Sequence, residues 1–276
     1  MKDFGKLAFI GGGNMAAALI GGLIRRGLPP ARITVADPDE ERCRQLLAEF
    51  GVAASADGSQ AAAGADVVVL AVKPQQMRAE AISLAPLLRV RRVLVISVAA
   101  GIPHAALASW LGARLPVVRT MPNRPALNGH GATGLYAPAD VGPADRARAE
   151  SIMSAVGATV WVDRESQMDA VTALSGSGPA YFFLFMEALE AAAHELGLPR
   201  EIAHRLTLET AFGAAQMARE SDASLDSLRA QVTSKGGTTA AALDVLNEAD
   251  LRGILARAVT AAARRSAELA AEYGAP

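Results

Sequence analysis

Cysteine is almost absent from this chain, since Cys43 is the only one in 276 residues. A single thiol cannot form an internal disulfide or a cysteine-cluster metal site. The four histidines, at positions 104, 130, 194 and 204, show no metal-ligand spacing such as an i, i+4 pair. We therefore expect neither a disulfide framework nor a bound metal.

The chain also lacks an excess of charge and a long apolar run. Its formal net charge is −1, which offers no electrostatic attraction for nucleic acid or an anionic membrane. No apolar run reaches the roughly 20 residues that a membrane-spanning helix needs. The first residues, MKDFGKLAFIGGG, are broken by glycines and lead into a strand, so we expect no signal peptide and a cytoplasmic location.

Up to residue 163 the sequence alternates short apolar runs with amphipathic segments. The predicted strands are residues 7–11, 32–37, 65–72, 91–99, 115–120, 131–137 and 158–162. Helices are predicted over residues 14–26, 39–50, 75–88 and 143–155. Strands this apolar are typical of a parallel sheet covered on both faces by helices. The pattern predicts an α/β domain with a doubly wound open sheet over residues 1–163.

The pattern changes after residue 163, because no convincing strand follows. Helices are predicted near residues 178–197, 199–219, 238–248 and 250–272. Apolar residues run nearly all round the first of these helices over 181–189, which predicts burial on all its sides. The alanine-rich faces suggest close packing, for which a second subunit is one partner. We expect residues 164–276 to form an all-helical domain.

A glycine-rich turn follows the first predicted strand. The stretch FIGGGNMAAAL carries the pattern G-x-G-x-x-A as Gly11, Gly13 and Ala16, between a strand and a helix. Gly11 allows the tight turn, Gly13 lets a pyrophosphate approach the backbone, and Ala16 lets the helix pack closely on the strand. Free N–H groups at the helix start favour the phosphate charge. In this strand–turn–helix setting the turn predicts dinucleotide binding; the alternative is a glycine turn without a ligand.

Asp37, at the end of the second predicted strand, bears on the choice of dinucleotide. A carboxylate there would accept hydrogen bonds from an adenosine ribose and repel a 2′-phosphate, which favours NADH. Arg42 and Arg44 follow in the next predicted helix, from which either could reach a phosphate. Alternatively, Asp37 caps that helix. Both NADH and NADPH remain open at this point.

Five further stretches carry a family resemblance. They are LAVKPQQM (70–77), VISVAAGIP (95–103), RTMPNRPA (119–126), SGSGPAYFF (175–183) and TSKGGTT (233–239). In order, spacing and residue identity the series resembles the pyrroline-5-carboxylate reductase family through nearly the whole chain. The resemblance implies reduction of 1-pyrroline-5-carboxylate to L-proline with NADPH or NADH as cofactor. It also implies a Rossmann-type sheet followed by an all-helical dimerisation domain, and a homodimer or a ring of dimers with substrate at the dimer interface.

The resemblance also assigns roles to individual residues. Its cofactor-binding residues correspond to Gly11, Gly12, Gly13, Asn14, Met15, Asp37, Val72, Lys73, Pro74 and Ala100. Its substrate-binding residues correspond to Glu165, Ser234, Gly236, Gly237, Thr238 and Thr239. Thr239 is the implied catalytic residue, because it would hydrogen-bond the ring nitrogen and orient the imine. A solvated hinge carboxylate is the alternative for Glu165, and a phosphate partner or a structural cap are the two alternatives for Lys73.

The stretch SKGGTT interrupts an otherwise helical region for a chemical reason. It offers consecutive backbone N–H groups at the start of a helix, which is a geometry that captures a carboxylate. Hydride addition to a protonated imine needs two flat molecules held face to face more than it needs an acid or base side chain. The alternative is a glycine C-cap followed by a Ser or Thr N-cap.

The sequence departs from the family pattern at two positions and allows three rival functions. Arg124 stands where the family usually has threonine, and Lys235 where it usually has proline. A β-hydroxyacid dehydrogenase shares the two-domain plan, but its acid–base lysine is missing from residues 178–197. An imine reductase for another ring substrate and a non-catalytic dinucleotide sensor are the other two rivals.

Overall fold

The computed structural model describes residues 4–112 and 115–274. The first predicted domain, 1–163, begins outside these ranges, and the second, 164–276, ends outside them. The strands are β1 Leu7–Ile10, β2 Ile33–Ala36, β3 Ala53–Ser55, β4 Val67–Leu70, β5 Leu94–Ser97, β6 Val117–Met121, β7 Gly131–Tyr136 and β8 Gly157–Trp161. The helices are α1 Asn14–Arg25, α2 Glu40–Phe50, α3 Gly58–Ala62, α4 Pro74–Val90, α5 His104–Leu111, α6 Pro143–Met153, α7 Gln167–Val171, α8 Gly178–Glu195, α9 Arg200–Glu220, α10 Leu225–Gln231, α11 Thr238–Glu248 and α12 Leu251–Tyr273.

The eight strands form one sheet in the order β3-β2-β1-β4-β5-β6-β7-β8. The first six strands are parallel; Leu7 of β1, for example, pairs with Ile33 of β2 and with Val67 of β4. Strand β7 runs antiparallel to β6, and β8 runs parallel to β7. The strand order reverses between β1 and β4, where open α/β sheets bind their ligands. The predicted doubly wound Rossmann-type sheet is confirmed.

Both faces of the sheet are covered. Leu7 and Phe9 of β1 belong to the apolar cluster on one face, and Ala8 and Ile10 belong to the cluster on the other. Successive residues of a strand point to opposite faces, so a strand buried on both must be apolar at every position. That requirement explains why these strands are continuous apolar runs.

The chain divides into two compact units. The first consists of the residues up to Ser177 together with those from Ala261 onwards, and the second is Gly178–Thr260. Helix α12 therefore contributes its second half to the unit that holds the sheet. No helix in the described ranges is long and apolar enough to cross a membrane.

Helices joined by turns make up the second unit, and its described residues contain no strand, as predicted. The expectation that α8 is buried on all sides is wrong for the single chain. Phe182 is 71% exposed and Leu184 66%, and Gly178 is the one buried residue of α8. An apolar helix surface is thus present, and the described residues of this chain do not cover it.

Five short elements were not predicted: β3, α3, α5, α7 and α10. Strand β3 has only three residues, Ala-Ala-Ser, none of which is fully buried, so it carries no apolar signal. Helix α5, HAALASWL, is apolar on most of its surface and shows little helical periodicity. Helix α10 is too short, at seven residues, to show a repeating pattern.

Candidate active site

The glycine turn after β1 needs glycine at its first position for the fold itself. Gly11 has a φ of +97°, and a Cβ there would lie 2.6 Å from the carbonyl oxygen of Ala71. Its N–H donates to the Ala36 carbonyl at 2.7 Å. Gly11 therefore allows the ends of β1, β2 and β4 to come together at one edge of the sheet.

Gly13 is different, because the protein itself does not require a glycine there. Its φ is −63°, and a Cβ would meet no atom within 4 Å. Helix α1 begins at the next residue, and the first helical bond runs from the Ala17 N–H to the Gly13 carbonyl at 3.0 Å. The N–H groups of Asn14 and Met15 precede that bond and lack helical partners. Open space in front of free N–H groups fits a pyrophosphate, and a side chain at Gly13 would fill it.

The other predicted cofactor residues of this unit lie at neighbouring strand ends. Val72 and Lys73 lie two and three residues after the end of β4. Lys73 is the N-cap residue of α4 without a side-chain capping bond. Pro74 is the first residue of that helix, and Ala100 lies in the turn after β5. The carboxyl ends of adjacent parallel strands share one edge of the sheet, so these residues gather on the side where the glycine turn lies.

Asp37 reaches back to the glycine turn. Its Oδ2 accepts the Gly12 N–H at 2.7 Å and its Oδ1 accepts the Asp39 N–H at 3.0 Å. The alternative that Asp37 caps the following helix is wrong, because Asp39 accepts the N–H groups of Glu41 and Arg42 at the start of α2. Asp37 therefore lies beside the glycine turn.

The two arginines of α2 point to different partners. The Arg42 Nε donates to the Gly12 carbonyl at 2.6 Å. Arg44 instead pairs with Glu41 at 2.8 Å and with Glu40 at 3.8 Å. Only Arg42 of the two contacts the glycine turn.

Glu165, a predicted substrate residue, lies in the sheet-containing unit and is engaged within it. Its Oε1 accepts the His104 backbone N–H at 2.6 Å and the Arg119 Nη1 at 2.8 Å. Arg119 is only 5% exposed, so Glu165 neutralises a buried charge. Burial lowers the pKa of the His104 ring, an effect that the Glu165 charge opposes. In this chain Glu165 joins the segment before α7 to α5 and β6.

The remaining predicted substrate residues form one turn in the helical unit. The Gly237 N–H donates to the Ser234 carbonyl at 3.1 Å, and Gly236 has a φ of +72° that favours glycine. Helix α11 follows, with its first helical bond from the Ala241 N–H to the Gly237 carbonyl. The N–H groups of Thr238 and Thr239 therefore precede the hydrogen-bonded part of the helix.

The capping alternative for this turn is wrong in both its parts. The C-cap residue of α10 is Val232 and not a glycine. The N-cap residue of α11 is Gly237, which has no side chain to cap the helix. The free N–H groups at the start of α11 thus have no capping side chain among the described residues, as a carboxylate site requires.

Asn123 is a polar residue that the sequence did not single out. Its Nδ2 donates to the Ser175 carbonyl at 3.0 Å and its Oδ1 accepts the Ala132 N–H at 2.8 Å. Ser175 lies in a π-helical turn, Thr172–Gly176, and such turns are frequent at functional sites. The signal was its place in RTMPNRPA, two residues after the carboxyl end of β6.

Comparisons with known proteins match both parts of the chain. Residues 165–269 match the family model described as pyrroline-5-carboxylate reductase dimerisation, and residues 6–101 match NADP oxidoreductase coenzyme F420-dependent. The chain is 51% identical over 269 residues to pyrroline-5-carboxylate reductase of Pseudomonas aeruginosa, covering 98% of each chain. It is 46% identical over 265 residues to the Vibrio alginolyticus protein of the same name, covering 96% of this chain and 97% of the other.

Two solved structures resemble the fold over nearly its full length. A pyrroline-5-carboxylate reductase from Coxiella burnetii has a TM-score of 0.93 at 45% identity, covering 96% of this chain and 98% of that one. Pyrroline carboxylate reductase of Plasmodium falciparum, solved with NADP bound, has a TM-score of 0.84 at 29% identity, with the same coverage.

Proposed function

We propose that two backbone sites bind the cofactor and the substrate of this enzyme. The chain belongs to the pyrroline-5-carboxylate reductase family and reduces 1-pyrroline-5-carboxylate to L-proline with a nicotinamide cofactor. The first is the glycine turn of Gly11, Gly12 and Gly13, with Asn14 and Met15, which holds the cofactor. The second is the SKGGTT turn, which holds the substrate. In both, N–H groups at a helix start receive an anion.

At the first site the open space in front of Gly13 supports placement of the cofactor pyrophosphate. Asp37 lies beside the ribose position, and Val72, Lys73, Pro74 and Ala100 line the neighbouring strand ends. The cofactor supplies a hydride to the imine carbon when it is bound. The chain's contribution is to fix the position and orientation of the two reactants, which supplies much of the rate.

At the second site the free N–H groups ahead of α11 carry the proposal. The substrate carboxylate binds there, with Ser234 and Thr238 as hydroxyl donors and Gly236 and Gly237 allowing close approach. Thr239 hydrogen-bonds the ring nitrogen and so orients the imine towards the hydride. The nitrogen keeps its proton when the imine carbon accepts the hydride, so the step itself requires no acid side chain.

Glu165 is proposed as a positioning residue. Its bonds to Arg119 and to the His104 N–H support a role in holding the start of the helical segment, rather than direct contact with the substrate.

The functional assembly is proposed to be a homodimer, and a ring of such dimers is the larger assembly that the family resemblance suggests. The match to a dimerisation model over residues 165–269 supports the dimer and a domain boundary near residues 163 and 164. Exposed apolar side chains on α8 support it independently. The cytoplasmic location stays a prediction.

The substrate site is tested by Thr239→Ala in an assay of NADPH and NADH oxidation with pyrroline-5-carboxylate. We expect kcat/KM for the imine to fall by roughly one to three decades, because one or two hydrogen bonds specific to the reacting geometry are lost. Cofactor affinity should stay within about twofold of the parent, since the hydroxyl is proposed to touch the substrate alone.

Thr260→Ala is the matched control, because the Thr260 hydroxyl donates to the Ala256 carbonyl within α12. Unaltered turnover in Thr239→Ala would remove Thr239 from the site. An equal loss in both variants would point to a general effect on the helical unit.

A further inference from the structure

Arg42 and Arg44 lie in the same turn of α2, and the reaction alone does not indicate which of them contacts the cofactor. Arg42 and Arg44 are two residues apart, and α2 directs them to different surroundings. The Arg42 Nε bonds the Gly12 carbonyl at 2.6 Å, and its Nη1 bonds Gln45 at 3.2 Å. Arg44 is committed to Glu41 and Glu40, and its side chain is 66% exposed.

At the glycine turn, the Arg42 guanidinium has an unpaired charge and N–H donors that form no hydrogen bond within the described residues. Within residues 4–112 and 115–274 it forms no ion pair, and its Nη2 bonds no other group. A half-buried guanidinium with free N–H groups is suited to a phosphate, which it binds through charge-assisted hydrogen bonds. Its fixed bond to Gly12 reduces the side-chain entropy that such binding would cost.

The charge of Asp37 alone suggests that it repels a phosphate from the glycine turn, but its hydrogen bonds weaken this repulsion. Each of its oxygens already accepts one backbone N–H, from Gly12 and from Asp39. These bonds hold the carboxylate against the turn and partly compensate its charge. The oxygens retain capacity to accept a ribose hydroxyl, so NADH can bind by the same group.

We propose that Arg42 is the residue that recognises the 2′-phosphate of NADPH, and that Arg44 has no part in cofactor choice. The ribose of NADH uses Asp37, while the additional phosphate of NADPH pairs with Arg42. The inference rests on the proposed placement of the cofactor at the glycine turn.

The test compares Arg42→Gln with Arg44→Gln, which remove the same charge from the same helix. Arg42→Gln should lower kcat/KM for NADPH by roughly tenfold to a hundredfold, the range expected for a lost charge-assisted bond. It should lower kcat/KM for NADH by a clearly smaller factor, because only the loss of the Gly12 bond affects both cofactors. Arg44→Gln should change neither beyond about twofold. Inhibition by 2′-AMP should weaken in Arg42→Gln, while inhibition by 5′-AMP should not.

Equal losses for NADPH and NADH in Arg42→Gln would overturn the proposal, because they would assign Arg42 to support of the turn alone. A selective NADPH loss in Arg44→Gln would transfer the role to that residue. Fluorescence titration with NADPH and NADH makes the same comparison without substrate. Failure of the reductase assay and failure of this inference are therefore separate results.

Discussion

The sheet-containing unit buries its apolar residues, whereas the helical unit displays them. Every residue of β1, β4 and β5 is buried. In α9, by contrast, only Ala203 and Thr207 are buried among 21 residues. Large apolar residues of the helical unit stay more than 40% exposed: Phe182, Phe183, Leu184, Phe185, Leu189, Leu196, Ile202, Leu206, Leu208, Phe212, Met217, Leu225, Val232, Val245, Ile254 and Leu255.

This difference teaches that an apolar sequence specifies burial without specifying what provides it. The sheet is covered by helices of its own unit, so its core is complete within one chain. Within the described residues α8 and α9 stay largely uncovered, and monomeric proteins rarely expose large apolar patches. We expect a second copy of the chain to cover these residues through an interface of the obligate class, above about 2,000 Å².

The largest effect is expected from a charge placed among the exposed apolar residues of α8. Phe183→Asp should raise the dissociation constant of the dimer roughly a thousandfold, because a hot-spot loss of about 2 kcal/mol counts twice in a symmetric pair. Leu47→Asp on α2 is the control, since Leu47 is 56% exposed and Phe183 57%. Sedimentation over a range of concentrations measures the effect. If both variants stay dimeric, Phe183 lies outside the interface.

A smaller effect distinguishes the two kinds of core. Leu70→Ala, at a fully buried position of β4, should lower the free energy of unfolding by about 3 kcal/mol. This loss should be the same at all protein concentrations. Leu206→Ala, at a 54% exposed position, should destabilise mainly through the dimer. Urea unfolding at two protein concentrations separates them, and a concentration-dependent Leu70→Ala effect would contradict a self-contained core.

The smallest expected effect concerns pH. Burial lowers the His104 pKa below its ordinary value of 6.5 in the folded state. The unfolded chain then binds a proton more readily, so His104 costs stability progressively as pH falls below about 6.5. His104 as a whole is only partly buried, which keeps this cost to a fraction of the maximum of about 1.4 kcal/mol per pH unit.

His104→Gln should therefore lose less stability than the parent between about pH 7 and 5. The exposed His130, changed to Gln, is the matched control. Thermal unfolding across this pH range measures the difference. A parallel pH dependence in the parent and His104→Gln would show that the ring is not the group responsible.

Local patterns in the sequence determined much of the fold and located the candidate site. Continuous apolar runs indicated buried parallel strands, because a strand covered on both faces must be apolar at every position. Gly11 marked a turn that only glycine can adopt, and the helix that begins at residue 14 follows from it. Five stretches in order sufficed to indicate the family. The individual substrate and cofactor roles that the resemblance assigns stay predictions.

Only the tertiary structure decided which of two similar neighbours does a given task. Asp39 and not Asp37 caps α2, and Arg42 and not Arg44 contacts the glycine turn. Arg42 meets Gly12 across 30 positions, and Arg119 meets Glu165 across 46. Spacing along the chain reports which residues share a helix face, because that depends on local geometry. It does not report which distant group lies opposite that face, because the packing of separate elements sets that position.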